Sequence, residues 1–169
     1  MINMNTIQQQ KVLKYVNEYL EKGKLMQLAT VKDKQPWIIN CWYTYDANLN
    51  FYFISGQTAR HIKELKNNEK VACSITPHYS LEKLGQKVQG LMFEGIAEEV
   101  SGFSLTEVFN NFVTKWKLAT KHVNLDRLKK GGAGSKLYKI KATKIVWFDE
   151  INFPDNPRQE INLKNEIHP

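Results

Sequence analysis

The sequence is poor in cysteine and has no long apolar segment. Its 169 residues include two cysteines, Cys41 and Cys73, and a pair without C-x-x-C spacing forms neither a disulfide framework nor a thiolate metal cluster. No uninterrupted apolar stretch approaches the roughly 20 residues of a membrane-spanning helix, and residues 1–10 lack the apolar core of a signal peptide. We therefore expect a soluble protein in a reducing compartment, the cytoplasm.

The motifs of several enzyme classes are also missing. There is no G-x-S-x-G nucleophile motif and no P-loop, and the glycine-rich residues 131–135 lack the following Lys-Ser/Thr, which makes them a predicted turn. The histidines are dispersed, without H-x-x-x-H or Cys–His spacing, so no metal site is expected. These four residues are His61, His78, His122 and His168. No residue is identified as a catalytic acid or base.

The composition predicts one globular domain with a basic surface. Apolar residues make up 42% of the chain, and 24 Lys and Arg exceed 17 Asp and Glu, a net charge of +7. A chain of this length buries enough surface to fold as a single domain over residues 1–169. Residues 115–144 hold ten basic residues and one acidic residue. Nucleic-acid binding is one interpretation of this segment, but we favour a solvated or ligand-steering surface because aromatic residues are few there.

Hydrophobic periodicity predicts a mainly β fold. Steps of three and four predict helices at residues 6–21, 58–67 and 105–118. Alternating or β-rich segments predict six strands at residues 24–31, 37–45, 51–54, 71–75, 88–100 and 137–148. Short turns between most of them indicate an antiparallel β-barrel over about residues 25–150 with helices packed outside. Residues 151–169 contain three prolines and predict an irregular C-terminal arm.

The end of the third predicted strand is the most informative segment. The strand ends near Ser55, a helix is predicted from about Thr58, and Arg60 and His61 fall in its first turn. Basic side chains are unfavourable at a helix N-terminus, unless an anion binds there. One interpretation is a phosphate site formed by these four side chains. The other is an ordinary helix start with two solvated basic residues, and the residues alone leave both open.

The order of the motifs resembles the FMN-binding split-barrel family, which includes pyridoxamine 5′-phosphate oxidase. The resemblance extends over about residues 25–150 and is carried by residues 28–30, 37–43, 45–46, 51–55, 60–61, 67–68, 89–95 and 137–149. It implies a six-stranded Greek-key split barrel, assembled as a homodimer with FMN at the subunit interface. The Arg60-His61 pair resembles most a bacterial subgroup whose members have no assigned reaction.

The resemblance also implies which residues hold the cofactor. Ser55 and Arg60 match phosphate-binding positions, and His61 stands where the family often has lysine. Ala59 replaces a common serine, whose role Thr58 would take. The residues expected beside the isoalloxazine ring are Ile39, Asn40, Cys41, Trp42 and Gln89.

The function expected from this resemblance is a flavin-dependent oxidoreductase acting on a small molecule, in which FMN carries the redox chemistry. Pyridoxamine phosphate is not the expected substrate, because residues 165–169 lack the arginine and histidine pattern of the true oxidase. The alternative is a non-enzymatic module that binds haem or another cofactor, with His78 or His122 as iron ligand. Nucleic-acid binding through residues 115–144 is a third hypothesis.

Overall fold

The structure is a computed structural model that describes residues 6–76, 85–130 and 134–163. In this part of the chain the helices are α1 (Thr6–Lys22), α2 (Arg60–Leu65), α3 (Ser104–Lys115) and α4 (Leu125–Lys130), with a short 3₁₀ segment at Lys117–Lys121. The strands are β1 (Leu25–Lys32), β2 (Gln35–Tyr45), β3 (Phe51–Gly56), β4 (Lys70–Ile75), β5 (Gln89–Glu99), β6 (Ser135–Asp149) and β7 (Arg158–Ile161). None of these helices is long and apolar enough to cross a membrane.

Six of the strands close into an antiparallel barrel. Their order is β3-β2-β1-β4-β5-β6, and β6 pairs back with β3 from Phe51↔Ile140 to Gly56↔Ser135. The connection containing α2 carries the chain from β3 to β4, which lies on the other side of β1 and β2. The predicted six-stranded antiparallel barrel with outer helices is therefore confirmed.

Large aromatic and aliphatic side chains fill the barrel. The inner face of β1 contributes Met26 and Leu28, as the alternating sequence predicts. The Phe51 and Phe93 rings stack at 4.0 Å between centroids, and Tyr19 of α1 contacts Trp147 edge-on at 4.6 Å. Complete burial of such a side chain stabilises the fold by about 1.5–3 kcal/mol. This core fixes the strand ends from which the loops depart.

Two predicted segments differ from the structure. The interpretation of residues 151–169 as an irregular arm is wrong for Arg158–Ile161, which forms β7 against the outer edge of β6. Its pairing buries Gln159 and Ile161, in the alternation expected of a strand. Four residues are too few for this alternation to be recognised in the sequence. The predicted helix 58–67 is only Arg60–Leu65. It begins two residues later than predicted because Ala59 has an extended backbone (φ −62°, ψ 147°). Thr58 therefore precedes the helix.

Gly95 provides a test of the barrel packing. It lies at a register irregularity between β5 and β6, and an added Cβ would stand 2.6 Å from Ile140 Cγ2 and 2.7 Å from the Lys141 carbonyl oxygen. We expect Gly95→Ala to lower the free energy of unfolding by about 1–3 kcal/mol, because backbone has to shift. Gly90→Ala on the same strand meets only Met92 Sδ at 3.6 Å. This control should be neutral or stabilising in the same denaturant titration.

Candidate cofactor site

The Arg60 guanidinium is held on one edge and on one face. Its Nε donates a hydrogen bond to Glu64 Oε1 at 2.7 Å, one turn along α2. Its Cζ lies 4.2 Å from the centroid of the Trp37 ring on β2. Within the described residues, the structure records no hydrogen bond from the two terminal nitrogens of Arg60, whose side chain is 50% exposed. These nitrogens are available to an anion.

Glu64 is the buried member of this pair. Its side chain is 3% exposed, and its Oε2 accepts a hydrogen bond from Thr30 Oγ1 on β1. The hydrogen bonds from Thr30 and Arg60 lower the pKa of the Glu64 carboxyl, although burial opposes this shift. Glu64 is therefore a carboxylate at neutral pH, and it connects α2 to the barrel wall.

Arg60 lines a cleft of about 510 Å³ between α2 and the turn that joins β1 to β2. The other lining residues are Lys32, Asp33, Gln35, Thr58, Lys63 and Glu64. Three cationic side chains thus face two carboxylates, of which Glu64 already neutralises part of the Arg60 charge. A cleft with an excess of positive charge attracts anionic ligands.

The other two predicted phosphate ligands form a separate pair. Ser55 Oγ lies 2.7 Å from His61 Nε2, and neither residue is among those that line the cleft. His61 is 8% exposed, and burial lowers the pKa of its imidazole although Glu64 partly offsets this effect. The structure therefore groups Thr58 with Arg60 in the cleft, and Ser55 with a mainly neutral His61.

The predicted ring-binding segment of β2 alternates between the two faces of the sheet. Cys41 points into the core, where burial raises the pKa of its thiol to about 12, and Ile39 also packs against the core. Asn40 and Trp42 are exposed, and the Asn40 amide oxygen accepts a hydrogen bond from Gln27 Nε2 at 3.2 Å. Only these two side chains of the segment are on the outer face.

Gln89 lies away from this segment in the same chain. It begins β5, which is separated from β2 by β1 and β4. Its Nε2 donates a hydrogen bond to Asp149 Oδ1 at 2.9 Å. A single chain therefore does not bring Gln89 together with residues 39–42.

The outer face of the β1–β2 hairpin is unusually apolar. Three large side chains on this face are at least one third exposed: Leu25, Ile38 and Trp42. Trp37 is also exposed, but it pairs with the buried Thr30 and lies on the opposite face of β2, at the end of the barrel. Beside the three outer side chains, Gln27 Oε1 is buried and has no hydrogen-bond partner in the described part of the chain. An exposed apolar patch of this kind marks an interaction surface. A buried oxygen without a hydrogen-bond partner is itself destabilising, and a binding partner that donates to it would remove this free-energy cost.

Two tryptophans continue this face towards α3. The Trp42 and Trp116 rings meet edge-on at 4.7 Å, and Trp116 Nε1 donates to the Tyr43 carbonyl oxygen at 2.7 Å. The neighbouring Lys115 Nζ donates to the Leu20 carbonyl oxygen at 2.7 Å. Burial lowers the pKa of Lys115 to about 8.

Sequence reasoning missed the residues that surround Arg60. The spacing of Arg60 and Glu64 is that of an i,i+4 ion pair and was recognisable. Thr30 and Trp37 reach the site from the hairpin, and no local pattern in the sequence indicates those contacts.

The remaining candidates are dispersed. His122 is exposed at the end of the 3₁₀ segment, whereas His78 and His168 lie outside the described residues. The structure forms no group of three His, Cys, Asp or Glu that could hold a metal ion within residues 6–76, 85–130 and 134–163. The ten basic residues of 115–144 are divided among α3, the 3₁₀ segment, α4 and β6, and Lys115, Lys136 and Lys144 have protein partners. Nucleic-acid binding through this segment stays a prediction.

Comparison with known families matches residues 13–146 to the family model of pyridoxamine 5′-phosphate oxidase. The chain belongs to this family. Among curated proteins, UPF0306 protein PM1958 of Pasteurella multocida (strain Pm70) is 27% identical over 124 residues, which span 66% of this chain and 81% of that protein.

Solved structures of the same fold include proteins with different ligands. The haem-storage protein HutZ of Vibrio cholerae superposes with a TM-score of 0.66 and 17% identity, covering 79% of this chain and 92% of its own. An FAD-binding protein of Mesorhizobium loti gives a TM-score of 0.58 and 18% identity, covering 79% and 89%. At these identities the likeness establishes the split-barrel fold alone.

Burial of His61 generates a prediction about pH. The folded state binds a proton at His61 less readily than the unfolded chain, so this residue makes stability fall as pH decreases through the ordinary histidine range near 6.5. We expect the free energy of unfolding to decrease more between pH 7.5 and 5.5 in the wild type than in His61→Gln. Ser55→Ala keeps the imidazole and should keep the steeper decrease. Equal decreases in all three proteins would show that His61 is not held neutral by burial.

Proposed function

We propose that the protein binds FMN and acts as a flavin-dependent oxidoreductase on a small molecule other than pyridoxamine 5′-phosphate. The observation that carries this proposal is the Arg60 guanidinium, held by Glu64 and Trp37 with its terminal nitrogens unpaired within the described residues. A planar guanidinium with two free donors matches a phosphate group in both charge and geometry.

The cleft supplies the anionic end of the proposed site. Arg60 and the Thr58 hydroxyl would bind the phosphate, and Lys32 and Lys63 add positive potential from the cleft walls. Ser55 and His61 would support this end from beneath rather than bind the phosphate with a cationic imidazole, because His61 is buried and mainly neutral. This assignment keeps all four predicted residues in the site and gives them different roles.

The outer face of β2 supplies the apolar end. Trp37 stacks on Arg60, and the next residue, Ile38, begins the exposed outer face, so the cationic cleft and the apolar surface are contributed by consecutive residues of β2. Ile38, Asn40 and Trp42 follow along the strand and would lie beside the ring, with Ile39 and Cys41 contributing backbone. When bound, FMN would supply the hydride or electron transfer. The chain's own residues would bind it, orient it and exclude water.

A second copy of the chain is the proposed cover of this apolar face. Gln89 lies too far around the barrel to reach β2 of its own chain. In a homodimer with the cofactor at the interface, it would come from the partner. Both cysteines are buried and free, which is compatible with the proposed cytoplasmic location.

Haem is the second candidate cofactor, because a haem-storage protein shares the fold. Among the described residues, the two histidines differ in their suitability as iron ligands. His61 Nε2 is engaged by Ser55, and His122 is exposed at the end of the 3₁₀ segment. Parallel titrations with FMN and haemin distinguish the two cofactors, and saturable haemin binding without FMN binding would contradict the flavin proposal.

FMN binding and its dependence on Arg60 can be measured directly. The protein should quench FMN fluorescence saturably, and Arg60→Ala should weaken binding by about ten- to a hundredfold, the loss expected for a charge-assisted phosphate contact of about 1.5–3 kcal/mol. Arg158→Ala, an exposed arginine on β7, is the matched control and should bind as the wild type does. Unchanged affinity in Arg60→Ala would remove the phosphate assignment.

Oxidoreductase activity requires a separate assay. The FMN-loaded protein should oxidise NADH or NADPH in the presence of a small acceptor, such as a quinone or a nitroaromatic compound, faster than the same concentration of free FMN. Rates no greater than those of free FMN with every reductant and acceptor pair would favour a binding module over an enzyme.

The proposed dimer predicts that a charged substitution at two exposed isoleucines has different effects on the oligomeric state. Ile38, on the β2 face, is 62% exposed, and Ile151, after β6, is 50% exposed. We expect the wild type to sediment as a dimer and Ile38→Asp to sediment as a monomer with weakened FMN binding, because a charge would be buried at the interface. Ile151→Asp should remain dimeric. A wild type that is monomeric at micromolar concentration would overturn the proposed interface.

A further inference from the structure

We infer that Glu64 is a positioning residue that makes the cleft select a phosphate-bearing ligand. It does so by fixing the orientation of the Arg60 guanidinium, although its negative charge reduces the positive charge of the cleft. This inference rests on the proposed function, since the ligand in question is the phosphate of a flavin nucleotide.

A buried carboxylate is at first sight unfavourable in an anion site. Glu64 carries a negative charge beside the guanidinium that would bind the phosphate, and its side chain is only 3% exposed. By charge alone, its removal would strengthen the attraction of the cleft for anions. The geometry of the contacts indicates why it is there nevertheless.

Two contacts leave the Arg60 guanidinium with one unpaired end. Glu64 Oε1 occupies the Nε hydrogen, and the Trp37 ring covers one face of the guanidinium at 4.2 Å. The end bearing the two terminal nitrogens stays unpaired within the described residues. This end is the one that forms two parallel hydrogen bonds with a phosphate. An arginine already fixed in this orientation loses less conformational entropy when the ligand binds.

Glu64 is itself fixed from the barrel. Thr30 Oγ1 donates to Oε2 from the inner face of β1, where Thr30 is fully buried. The chain of contacts therefore runs from the barrel wall through a carboxylate to the guanidinium. An exposed arginine without such support would sample many rotamers, as long charged side chains do at surfaces.

Another carboxylate in the cleft provides a matched control. Asp33 lines the same cleft, is exposed, and has no recorded contact with Arg60. It lies in the β1–β2 turn with a φ of 50°. Asparagine tolerates this conformation well, so Asp33→Asn removes a charge with little change of the backbone. Charge alone predicts tighter anion binding for removal of either carboxylate, whereas positioning predicts weaker binding for removal of Glu64 only.

The experiment measures FMN and riboflavin affinity for the full-length wild type, Glu64→Gln and Asp33→Asn. We expect Glu64→Gln to bind FMN about tenfold more weakly although it removes a negative charge, the effect of losing a charge-assisted hydrogen bond. Its affinity for riboflavin, which has no phosphate, should stay within about twofold of the wild type, a difference too small to reflect loss of such a bond. Asp33→Asn should bind FMN as tightly as the wild type or more tightly.

Several outcomes would overturn the inference. Tighter or unchanged FMN binding by Glu64→Gln would show that Glu64 affects FMN affinity through its charge and not by orienting Arg60. Equal losses for FMN and riboflavin would indicate general damage to the site. Weaker FMN binding by Glu64→Gln but not by Asp33→Asn is decisive even if riboflavin binds too weakly to measure.

A second variant covers the case in which Glu64→Gln does not fold. Thr30→Val keeps the side-chain shape and every charge but removes the hydrogen bond that orients Glu64. It should weaken FMN binding in the same direction, and unchanged affinity in a folded Thr30→Val protein would contradict the inference. A wild type that binds no FMN would contradict the proposed function instead, so the two failures are distinguishable.

Discussion

Pairing of β3 with both β2 and β6 is the constraint on which the rest of the structure depends. It closes the barrel, and the stacked rings of Phe51 and Phe93 fill the interior beneath it. β2 pairs with β3 over Phe51–Phe53, and β6 pairs with it along its whole length to Gly56, which fixes the end from which the chain continues to α2. The first turn of α2 is therefore held against the β1–β2 hairpin. A site built on such an end inherits the rigidity of the barrel.

The electrostatic conflict seen in the sequence is resolved mainly within the protein. Basic residues at the start of α2 left two interpretations open, an anion that compensates them or an ordinary helix start with solvated charges. In the structure Glu64 compensates Arg60 one turn later, and His61 is buried and mainly neutral beside Ser55. Misplaced charge is thus weak evidence for a ligand. The stronger evidence is geometric, since the compensated guanidinium still has terminal nitrogens without a partner in the described part of the chain, beside a cleft with two further lysines.

The sequence predicts those parts of the fold that have a long local period. Alternation in β1 and β2 and the apolar stripe of α1 indicated elements within two residues of their observed bounds. β7 was not predictable, because four residues become a strand only where the long β6 offers an unpaired edge. The site shows the same division. Arg60 and Glu64 are related by helical spacing. Thr30 and Trp37 are distant in sequence and contact them only because the barrel closes, so no local pattern in the sequence predicts these contacts.

The step from Trp37 to Ile38 along β2 connects the two halves of the site and favours a particular shape of ligand. The Trp37 ring stacks on the Arg60 guanidinium, and Ile38 begins the exposed apolar face of β2. A ligand that uses both surfaces has an anionic end and a planar apolar part next to it. Haem also has both features, but it requires an axial ligand as well. Of the histidines in the described residues, His61 is bonded to Ser55 and His122 follows the 3₁₀ segment, away from the Arg60 cleft in the chain. A flavin nucleotide makes no such demand, so these surfaces suit it with the residues already in place.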